Sequence, residues 1–186
     1  MADEVWLLRH AETEWSRSGQ HTGRTDIPLT DAGRDVARGL GERLAGEDFA
    51  FVLCSPLSRA RETARLAGLA CSGLRDDLLE WDYGEYEGLT TPEIRTDRPD
   101  WFLWRDGVPG GEMPDDVAAR CDRVIAEVRA VEGRIALVAH GHILRALAAR
   151  WIDAPIDLGG RLHLGTGAVS VLAYEREVAV ISRWNT

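Results

Sequence analysis

The sequence predicts an α/β fold: a three-layer sandwich in which helices flank a mostly parallel central sheet. Short apolar runs at 5–8, 49–55 and 133–140 are typical of buried strands. Polar turns and segments with helical apolar spacing follow these runs, and this alternation is typical of α/β proteins. Two further apolar runs, at 168–174 and 178–182, enclose a polar turn and predict an antiparallel hairpin at a sheet edge.

The first long helix is expected after the first strand and a polar loop. Thr30 is the predicted N-cap, because a hydroxyl at this position accepts a hydrogen bond from the first turn. The apolar residues that follow recur every four positions, which predicts one buried stripe. These residues are Ala32, Val36, Leu40 and Leu44.

The remaining helices carry their own start signals. Ser55 and Pro56 read as a cap and a first-turn proline, opening a helix through about Leu69. Met113-Pro114-Asp115 opens the next helix. The last helix follows the run at 133–140 directly, with a stripe of Ile143, Leu144, Leu147, Ala148 and Trp151.

The composition indicates a soluble globular chain. Its 186 residues, 45% hydrophobic and 28% charged, fit a single domain over 1–186. No apolar run approaches the roughly 20 residues of a membrane helix, and the first residues, "MADEVW", have no signal-peptide pattern. Cys54, Cys71 and Cys121 are an odd number without close spacing, which predicts reduced thiols. We therefore expect a cytoplasmic protein without a membrane partner.

The charge narrows the choice of ligand. A net charge of −9 argues against nucleic acid, which requires a basic face. All 22 basic residues are arginines, because the sequence contains no lysine. An anion could therefore bind only where a local group of arginines overrides the global field.

Basic side chains follow three of the predicted strands. Arg9 and His10 end the first strand, Arg59 follows the second, and His140 and His142 follow the third. Ligands of parallel sheets bind at the carboxyl ends of the strands. The sequence therefore predicts that these five residues converge at one sheet edge.

Three chemistries fit these residues poorly. A metal site at His140-x-His142 would lie among arginines, which repel a cation. A cysteine phosphatase built on Cys54 needs an arginine after a loop of five residues, where this chain has Ala60, so a buried structural Cys54 is expected instead. A Ser-His-Asp triad lacks the G-x-S-x-G turn, and Ser55 precedes a proline.

A fourth chemistry uses histidine as the nucleophile. A neutral imidazole attacks phosphorus, while arginines neutralise the oxygens of the transferring phosphoryl group. The leaving alkoxide then needs a proton from a nearby carboxylic acid. Because arginine and histidine supply the positive charge, we expect neither a metal nor another cofactor.

Six stretches of the chain carry a resemblance to a known family. They are "LLRHAETEW", "HTGRTDIPLTDAG", "CSPLSRARETA", "EWDYGEYEG", "PGGE" and "VAHGHILRAL". Their residues and order resemble those of the histidine phosphatase superfamily, the phosphoglycerate mutase-like proteins, over essentially the whole chain. The chain most resembles the actinobacterial acid phosphatase and sedoheptulose-bisphosphatase-like branch, which shares the pattern around "EWDYGEYEG".

The resemblance implies a phosphoglycerate mutase-like fold and a set of catalytic residues. His10 would be the phosphorylated nucleophile. Arg9, Arg59 and His140 would complete the phosphate pocket, and Glu80 of "EWDYG" would be the proton donor.

The resemblance also implies substrate-binding residues. Thr22 and Gly23 would contact the phosphate through a hydroxyl and a backbone N–H, and Ser16 replaces the asparagine of mutases. Ala11 stands where the family has glycine, which raises the question of how the backbone turns there. The full expected set is Ser16, Thr22, Gly23, Gly141, His142, His21 and Arg24, of which His21, Arg24 and His142 could meet a second phosphate.

The predicted activity is hydrolysis of small phosphorylated metabolites, sugar phosphates or bisphosphates among them. Segment 81–113 is short, and Trp81-Asp82 replaces an arginine of mutases, which favours hydrolysis over transfer. Trp101, Phe102 and Trp104 in this segment form either a lid or a satellite core. A mutase and a non-catalytic phospho-ligand binder remain alternatives, and a homodimer is left open.

Overall fold

The computed structural model describes residues 2–186, in which six strands form one sheet of order β3-β2-β4-β1-β5-β6. The pairs β1–β4, β2–β4 and β2–β3 are parallel, whereas β5 runs antiparallel to both β1 and β6. The predicted mostly parallel sheet and C-terminal hairpin are therefore confirmed. The strands are β1 (Ala2–Arg9), β2 (Phe51–Cys54), β3 (Gly73–Leu74), β4 (Gly133–Ala139), β5 (Val169–Glu175) and β6 (Val178–Arg183).

Seven α-helices connect the strands within the described part of the chain. None of them is long and apolar enough to cross a membrane. Short 3-10 helices cover Asp76–Leu78, Gly84–Tyr86 and Ile156–Arg161. The α-helices are α1 (Glu14–Ser18), α2 (Asp31–Arg43), α3 (Ser58–Leu66), α4 (Thr91–Asp97), α5 (Leu103–Asp106), α6 (Pro114–Arg129) and α7 (Gly141–Trp151).

Strand β1 shows why the sheet is covered on both faces. Val5 and Leu7 pack into one hydrophobic cluster with α6 and α7, whereas Trp6 and Leu8 pack into a second cluster with α2 and α3. Alternate side chains of a strand point to opposite faces. Burial of each such side chain contributes about 1.5–3 kcal/mol. The three-layer sandwich predicted from the sequence is therefore confirmed.

Helix α2 begins where predicted but turns a different face to the core. The Thr30 hydroxyl accepts from the Gly33 N–H at 2.9 Å, as expected of an N-cap. Leu40 is buried, but Val36 of the predicted stripe is 48% exposed. Gly33 explains the rotation, because a Cβ there would lie 2.3 Å from the Glu12 carbonyl oxygen. The helix approaches the loop after β1 through this glycine.

Helix α3 begins later than predicted. Ser55 and Pro56 lie before the helix, which starts at Ser58 and ends at Leu66. The Asp26 carboxylate, from a distant loop, accepts from both the backbone N–H and the hydroxyl of Ser58, at 2.9 and 2.8 Å. The first turn is therefore capped through a tertiary contact, and the Ser55 hydroxyl makes its shortest hydrogen bond within the site described below.

The expectation of reduced thiols is wrong for two of the three cysteines. Cys54 at the end of β2 and Cys71 form a disulfide, with Cα atoms 6.1 Å apart. The parallel pairing of β2 with the two-residue strand β3 brings them together. Their separation of 17 residues along the chain concealed this contact. Cys121 is a free thiol, and burial raises its pKa to about 12.

Segment 81–113 contributes its aromatic side chains to the hydrophobic interior. Trp81, Trp101 and Trp104 are buried in the same cluster as α6 and α7. The rings of Trp81 and Trp104 meet edge to face, with centroids 5.4 Å apart. The core interpretation of Trp101 and Trp104 therefore describes their packing, and their rings contact His21 and His142, which line the site below.

Candidate active site

A cavity of about 180 Å³ opens at the carboxyl ends of β1 and β4. The chain leaves β1 toward β2 on one side and leaves β4 toward β5 on the other, so this point is a topological switch point. A larger groove of about 500 Å³ over α3 lacks this convergence. The lining residues of the cavity are Arg9, His10, Ser16, Gly19, Gln20, His21, Thr22, Glu80, Tyr83, Gly141, His142 and Arg145.

His10 follows β1 directly and is only 4% exposed. Its Nδ1–H donates to the Ala11 carbonyl oxygen at 2.7 Å, which leaves Nε2 as the unprotonated nitrogen. Burial lowers the pKa of His10 well below 6.5, and the positive charges of Arg9 and Arg59 lower it further. The imidazole is therefore neutral and holds a lone pair on Nε2, as a nucleophile must.

Ala11 occupies its position without backbone strain. Its φ does not lie in the left-handed region, and its N–H donates to the Thr63 hydroxyl at 3.1 Å. Its side chain is buried against Leu29 and Ala37. An alanine therefore fits at this position, where the family has glycine, because the backbone conformation does not require glycine and the methyl group is packed.

Arg9 lines the cavity and holds a buried donor without a partner in the described part of the chain. One terminal nitrogen donates to the Leu164 carbonyl oxygen, whereas the buried Nε has no hydrogen-bond partner among residues 2–186. Burial lowers the pKa of Arg9. Gly141 makes room for it, because a Cβ there would lie 3.2 Å from the guanidinium carbon. A buried unpaired donor is costly, so the site is suited to an incoming anion.

Arg59 lies behind the cavity lining, fully buried. Its terminal nitrogens donate to the carbonyl oxygens of Thr22, Gly23 and Thr25 at 2.9–3.2 Å. Its Nε donates to Nδ1 of His140 at 3.1 Å. Burial lowers the pKa of Arg59. The guanidinium thus fixes the loop 22–25 and adds positive charge beneath the nucleophile.

His140 is equally buried and links this arginine to Ser55. Because Nδ1 accepts from Arg59, the ring proton is on Nε2, which donates to the Ser55 hydroxyl at 2.7 Å. The ring centroids of His140 and His10 are 5.1 Å apart. Burial lowers the pKa of His140 well below 6.5, and the neighbouring charge of Arg59 adds to this. His140 therefore supports His10 from behind as a neutral ring.

Glu80 places its carboxylate at the start of α7. Oε1 accepts from the backbone N–H groups of Trp81 and Ile143, and Oε2 accepts from that of His142, each at 2.9 Å. The first N–H groups of a helix need such partners, so Glu80 caps α7 from outside. Oε2 retains one lone-pair position. Glu80 also lines the cavity.

Of the loop residues that were expected to bind the phosphate, only Ser16 and Thr22 face the cavity. Ser16 and Thr22 line the cavity, and the Ser16 hydroxyl is engaged with the backbone of Thr13 in the capping box of α1. The Gly23 N–H donates to both carboxylate oxygens of Glu87, at 2.9 and 3.0 Å. This N–H, which was expected to contact the phosphate, is therefore already hydrogen-bonded to Glu87. The Gly23 carbonyl oxygen instead accepts from the buried Arg59.

The distal end of the cavity differs from the expectation at one arginine. His21 and His142 line it, but Arg24 lies outside the lining, exposed and 3.5 Å from the Asp82 carboxylate. Arg145 lines the cavity instead, which the sequence analysis missed. Its signal was its position three residues after His142 on one helix, where i and i+3 share a face.

Arg145 carries an unpaired positive charge. Its Nε donates to the Gly159 carbonyl oxygen at 2.9 Å, and its guanidinium lies 5.0 Å from the ring centroid of Trp104. It makes no ion pair with a carboxylate of residues 2–186. Burial lowers its pKa. This end of the cavity is therefore suited to a second anionic or acceptor-rich group.

Tyr83, Gly19 and Gln20 also line the cavity without having been predicted, although Tyr83 lies within "EWDYG". Burial raises the pKa of Tyr83 well above 10, so its hydroxyl is protonated, and it shares a hydrogen bond of 2.5 Å with Nδ1 of His142. Burial lowers the pKa of His142 well below 6.5 and that of His21 to about 4. The distal wall is therefore built of neutral rings.

The buried neutral imidazole, the surrounding arginines and the single capping carboxylate define a site for phosphoryl transfer. Within residues 2–186, no three His, Cys, Asp or Glu side chains are grouped so as to hold a metal ion. The profile of the histidine phosphatase superfamily (branch 1) matches residues 5–186. The chain belongs to this superfamily and is a phosphatase.

The chain is similar to two characterised relatives. It is 43% identical to an acid phosphatase of Mycobacterium tuberculosis over 183 residues, which cover 94% of this chain and 90% of the relative. It is 37% identical to the sedoheptulose 1,7-bisphosphatase of Saccharomyces cerevisiae over 185 residues, covering 81% and 68% respectively. The branch predicted from the sequence is therefore confirmed.

Solved structures agree with this placement. A Mycobacterium tuberculosis open reading frame product superposes with a TM-score of 0.96 at 39% identity, covering 98% of this chain and 97% of that one. A mycobacterial glucosyl-3-phosphoglycerate phosphatase solved with VO3 has a TM-score of 0.88 at 29% identity, covering 99% of both chains. The predicted phosphoglycerate mutase-like fold is thereby confirmed.

Proposed function

We propose that the protein hydrolyses small phosphate monoesters through a phosphohistidine at His10, without a metal ion. The observation that carries the proposal is the hydrogen bond from His10 Nδ1 to the Ala11 carbonyl. It leaves Nε2 with a lone pair beside an arginine, Arg9, whose buried Nε lacks a partner. A phosphate monoester would pair with the Arg9 guanidinium and meet the nucleophile in one position.

The first step transfers the phosphoryl group to the enzyme. His10 Nε2 attacks phosphorus and forms the N–P bond as the P–O bond to the leaving group breaks. Arg9 and, from beneath, Arg59 stabilise the negative charge on the phosphoryl oxygens. Glu80 gives its proton from Oε2 to the departing alkoxide, which leaves as an alcohol.

The second step returns the enzyme to its starting state. A water molecule attacks phosphorus, and Glu80, now ionised, takes one of its protons. The N–P bond breaks, inorganic phosphate leaves, and His10 regains its lone pair. His10 is therefore the nucleophile of the first step and the leaving group of the second, and Glu80 donates a proton in the first step and accepts one in the second.

Hydrolysis is favoured over the two alternatives by particular residues. A mutase must hold its product for re-phosphorylation, but the mutase arginine position is occupied here by Trp81, buried in the core, and Asp82. A non-catalytic binder needs the arginines but no carboxylic acid beside them. Glu80 lines the cavity together with His10, which supports an enzyme.

The substrates that this cavity fits are small sugar phosphates and bisphosphates. Arg9 and Arg59 balance the two charges of the ester phosphate, so Arg145 remains to meet a second anionic group. The relatives named for sedoheptulose 1,7-bisphosphate and glucosyl-3-phosphoglycerate support this class. We further propose a single domain over 1–186, with segment 81–113 as the distal wall. Cytoplasmic location and a homodimer stay predictions.

Trapping of the phosphoenzyme tests the proposal. After rapid quenching, substrate phosphate should remain on the protein in a form that is stable to alkali and labile to acid. His10→Ala should abolish both this signal and turnover, whereas His163→Ala, an exposed histidine, should retain both. Near wild-type turnover in His10→Ala would refute the mechanism.

Glu80→Gln tests the acid separately. It should retain vanadate binding but lose about 10²-fold or more in kcat/KM, which reports the first step, for alkyl esters, whose leaving groups need a proton. A nitrophenyl ester should lose less. Equal loss on both esters would remove Glu80 as the proton donor.

A further inference from the structure

A buried ion pair lies behind the loop that carries the proposed proton donor. Arg120 of α6 is 7% exposed and donates to Glu112 through two nitrogens. Nε contacts Oε1 at 2.7 Å and Nη2 contacts Oε2 at 2.8 Å. This paired geometry is the most directional contact that a guanidinium makes with a carboxylate. Neither residue lines the cavity.

The remaining hydrogen bonds of the pair go to the main chain on both sides of the proton donor. Arg120 Nη1 donates to the carbonyl oxygens of Asp77 and Leu79, at 2.8 and 2.9 Å. Glu112 Oε2 accepts from the Asp82 N–H at 2.8 Å. The pair therefore holds the backbone just before and just after the glutamate that faces the cavity.

A further set of contacts joins Glu112 to the same loop. Its carbonyl oxygen accepts from the Trp81 indole N–H at 3.0 Å, and its own N–H donates to the Asp82 carbonyl oxygen at 3.0 Å. Glycine at 111 permits this approach, because a Cβ there would lie 2.3 Å from the Asp82 carbonyl oxygen. The loop is thus fixed at several backbone positions around Glu80.

We propose that Arg120 and Glu112 are positioning residues for Glu80, and this rests on the proposed function. The Glu80 side chain is oriented by three backbone N–H groups, but its distance from the ester oxygen depends on where its own main chain lies. Proton transfer requires that the Glu80 carboxyl group lie within hydrogen-bond distance of the leaving oxygen. Misplacement by about 1 Å costs roughly 10²-fold in rate. The ion pair sets that distance.

The helix offers a matched control. Arg123, also on α6, pairs with the Asp77 carboxylate through two nitrogens, at 2.6 and 3.0 Å. It contacts the same short 3-10 helix but not the backbone adjoining the proton donor, and it is exposed. Loss of Arg123 removes an arginine–carboxylate pair of the same geometry without releasing Leu79 or Asp82.

The test compares Arg120→Met with Arg123→Met on two esters, glycerol phosphate and nitrophenyl phosphate. Arg120→Met should lose about 10- to 100-fold in kcat/KM, which reports the first step alone, on glycerol phosphate, which needs the proton, and less than about threefold on nitrophenyl phosphate. Vanadate affinity should stay within about threefold, because the phosphate pocket is intact. Arg123→Met should match wild type on both esters.

Equal loss on the two esters, weakened vanadate binding, or no loss at all would overturn the positioning role. Where Arg120→Met does not fold, Glu112→Gln and Arg120→Lys provide the same comparison, since they preserve the shape but weaken the paired contact. Glu80→Gln separates the two proposals. If Glu80→Gln loses more on glycerol phosphate than on nitrophenyl phosphate and the Arg120 variants do not, only the positioning role is overturned. If Glu80→Gln itself shows no difference between the two esters, the assignment of Glu80 as the proton donor is overturned.

Discussion

Acidification from pH 7.5 to pH 5.5 should destabilise the folded protein because its site histidines are held neutral. Burial, with neighbouring arginine charge, lowers the pKa values of His10 and His140 well below 6.5. In the unfolded chain both return to about 6.5. Below that pH the unfolded state binds more protons than the folded state, so stability decreases as pH falls through 6.5.

The magnitude follows from the two fully enclosed rings. At pH 5.5 each histidine that stays neutral in the fold and titrates normally when unfolded costs about 1.4 kcal/mol, so His10 and His140 together cost about 3 kcal/mol. His21 and His142, whose pKa values are also lowered, add to this in the same direction. Carboxyl groups titrate mainly below this window. A loss of this size is a large part of the 5–15 kcal/mol that stabilises a typical domain.

Urea unfolding at pH 7.5, 6.5 and 5.5 in phosphate-free buffer measures the effect. His140→Gln removes one titrating ring and should reduce the pH-dependent loss by about 1.4 kcal/mol, whatever its stability at pH 7.5. His163→Gln, at an exposed position, should show the wild-type pH dependence. A free energy of unfolding that stays constant or increases between pH 7.5 and 5.5 would refute the reasoning, as would an unchanged loss in His140→Gln.

Three other predictions concern single features. Activity should be unchanged in excess chelator, because arginines supply the positive charge; loss in EDTA with recovery on adding a divalent ion would contradict this. Arg145→Gln should raise KM for a sugar bisphosphate about 10- to 100-fold, the scale of a hydrogen bond to a charged group, and leave nitrophenyl phosphate unaffected; Arg24→Gln is the control. Cys71→Ser, which opens the disulfide with Cys54, should lower the free energy of unfolding by about 3 kcal/mol; equal thermal unfolding with and without a reducing agent would argue against the bond.

The strands and the residues at their ends could be predicted because both follow from local pattern. Apolar runs locate β1, β2 and β4, and the convergence rule places Arg9, His10 and His142 around one cavity. Arg59 and His140 were predicted at the same edge, but their position behind the lining depends on hydrogen bonds to a distant loop and to Ser55.

The missed features depend on contacts between segments far apart in sequence. Ser55 before a proline is a common local cap signal, but its hydroxyl is used by His140, 85 residues away. Cys54 meets Cys71 through a strand of only two residues, too short to give a periodic signal. Tyr83 reaches the cavity from an irregular loop, where neither helical nor strand spacing predicts which side chain turns inward.

The hydrogen bonding of the cavity divides it into a fixed half and an exchangeable half. Arg59 holds three carbonyl oxygens of the loop 22–25, and Glu80 accepts from three backbone N–H groups, two of them at the start of α7, so both side chains are part of the framework. The side chains of His21 and Arg145 make one hydrogen bond each at their end of the cavity, His21 with the Thr91 hydroxyl and Arg145 with the Gly159 carbonyl oxygen. A library confined to these two positions could therefore retarget the enzyme to new phosphate esters while its reaction chemistry stays intact.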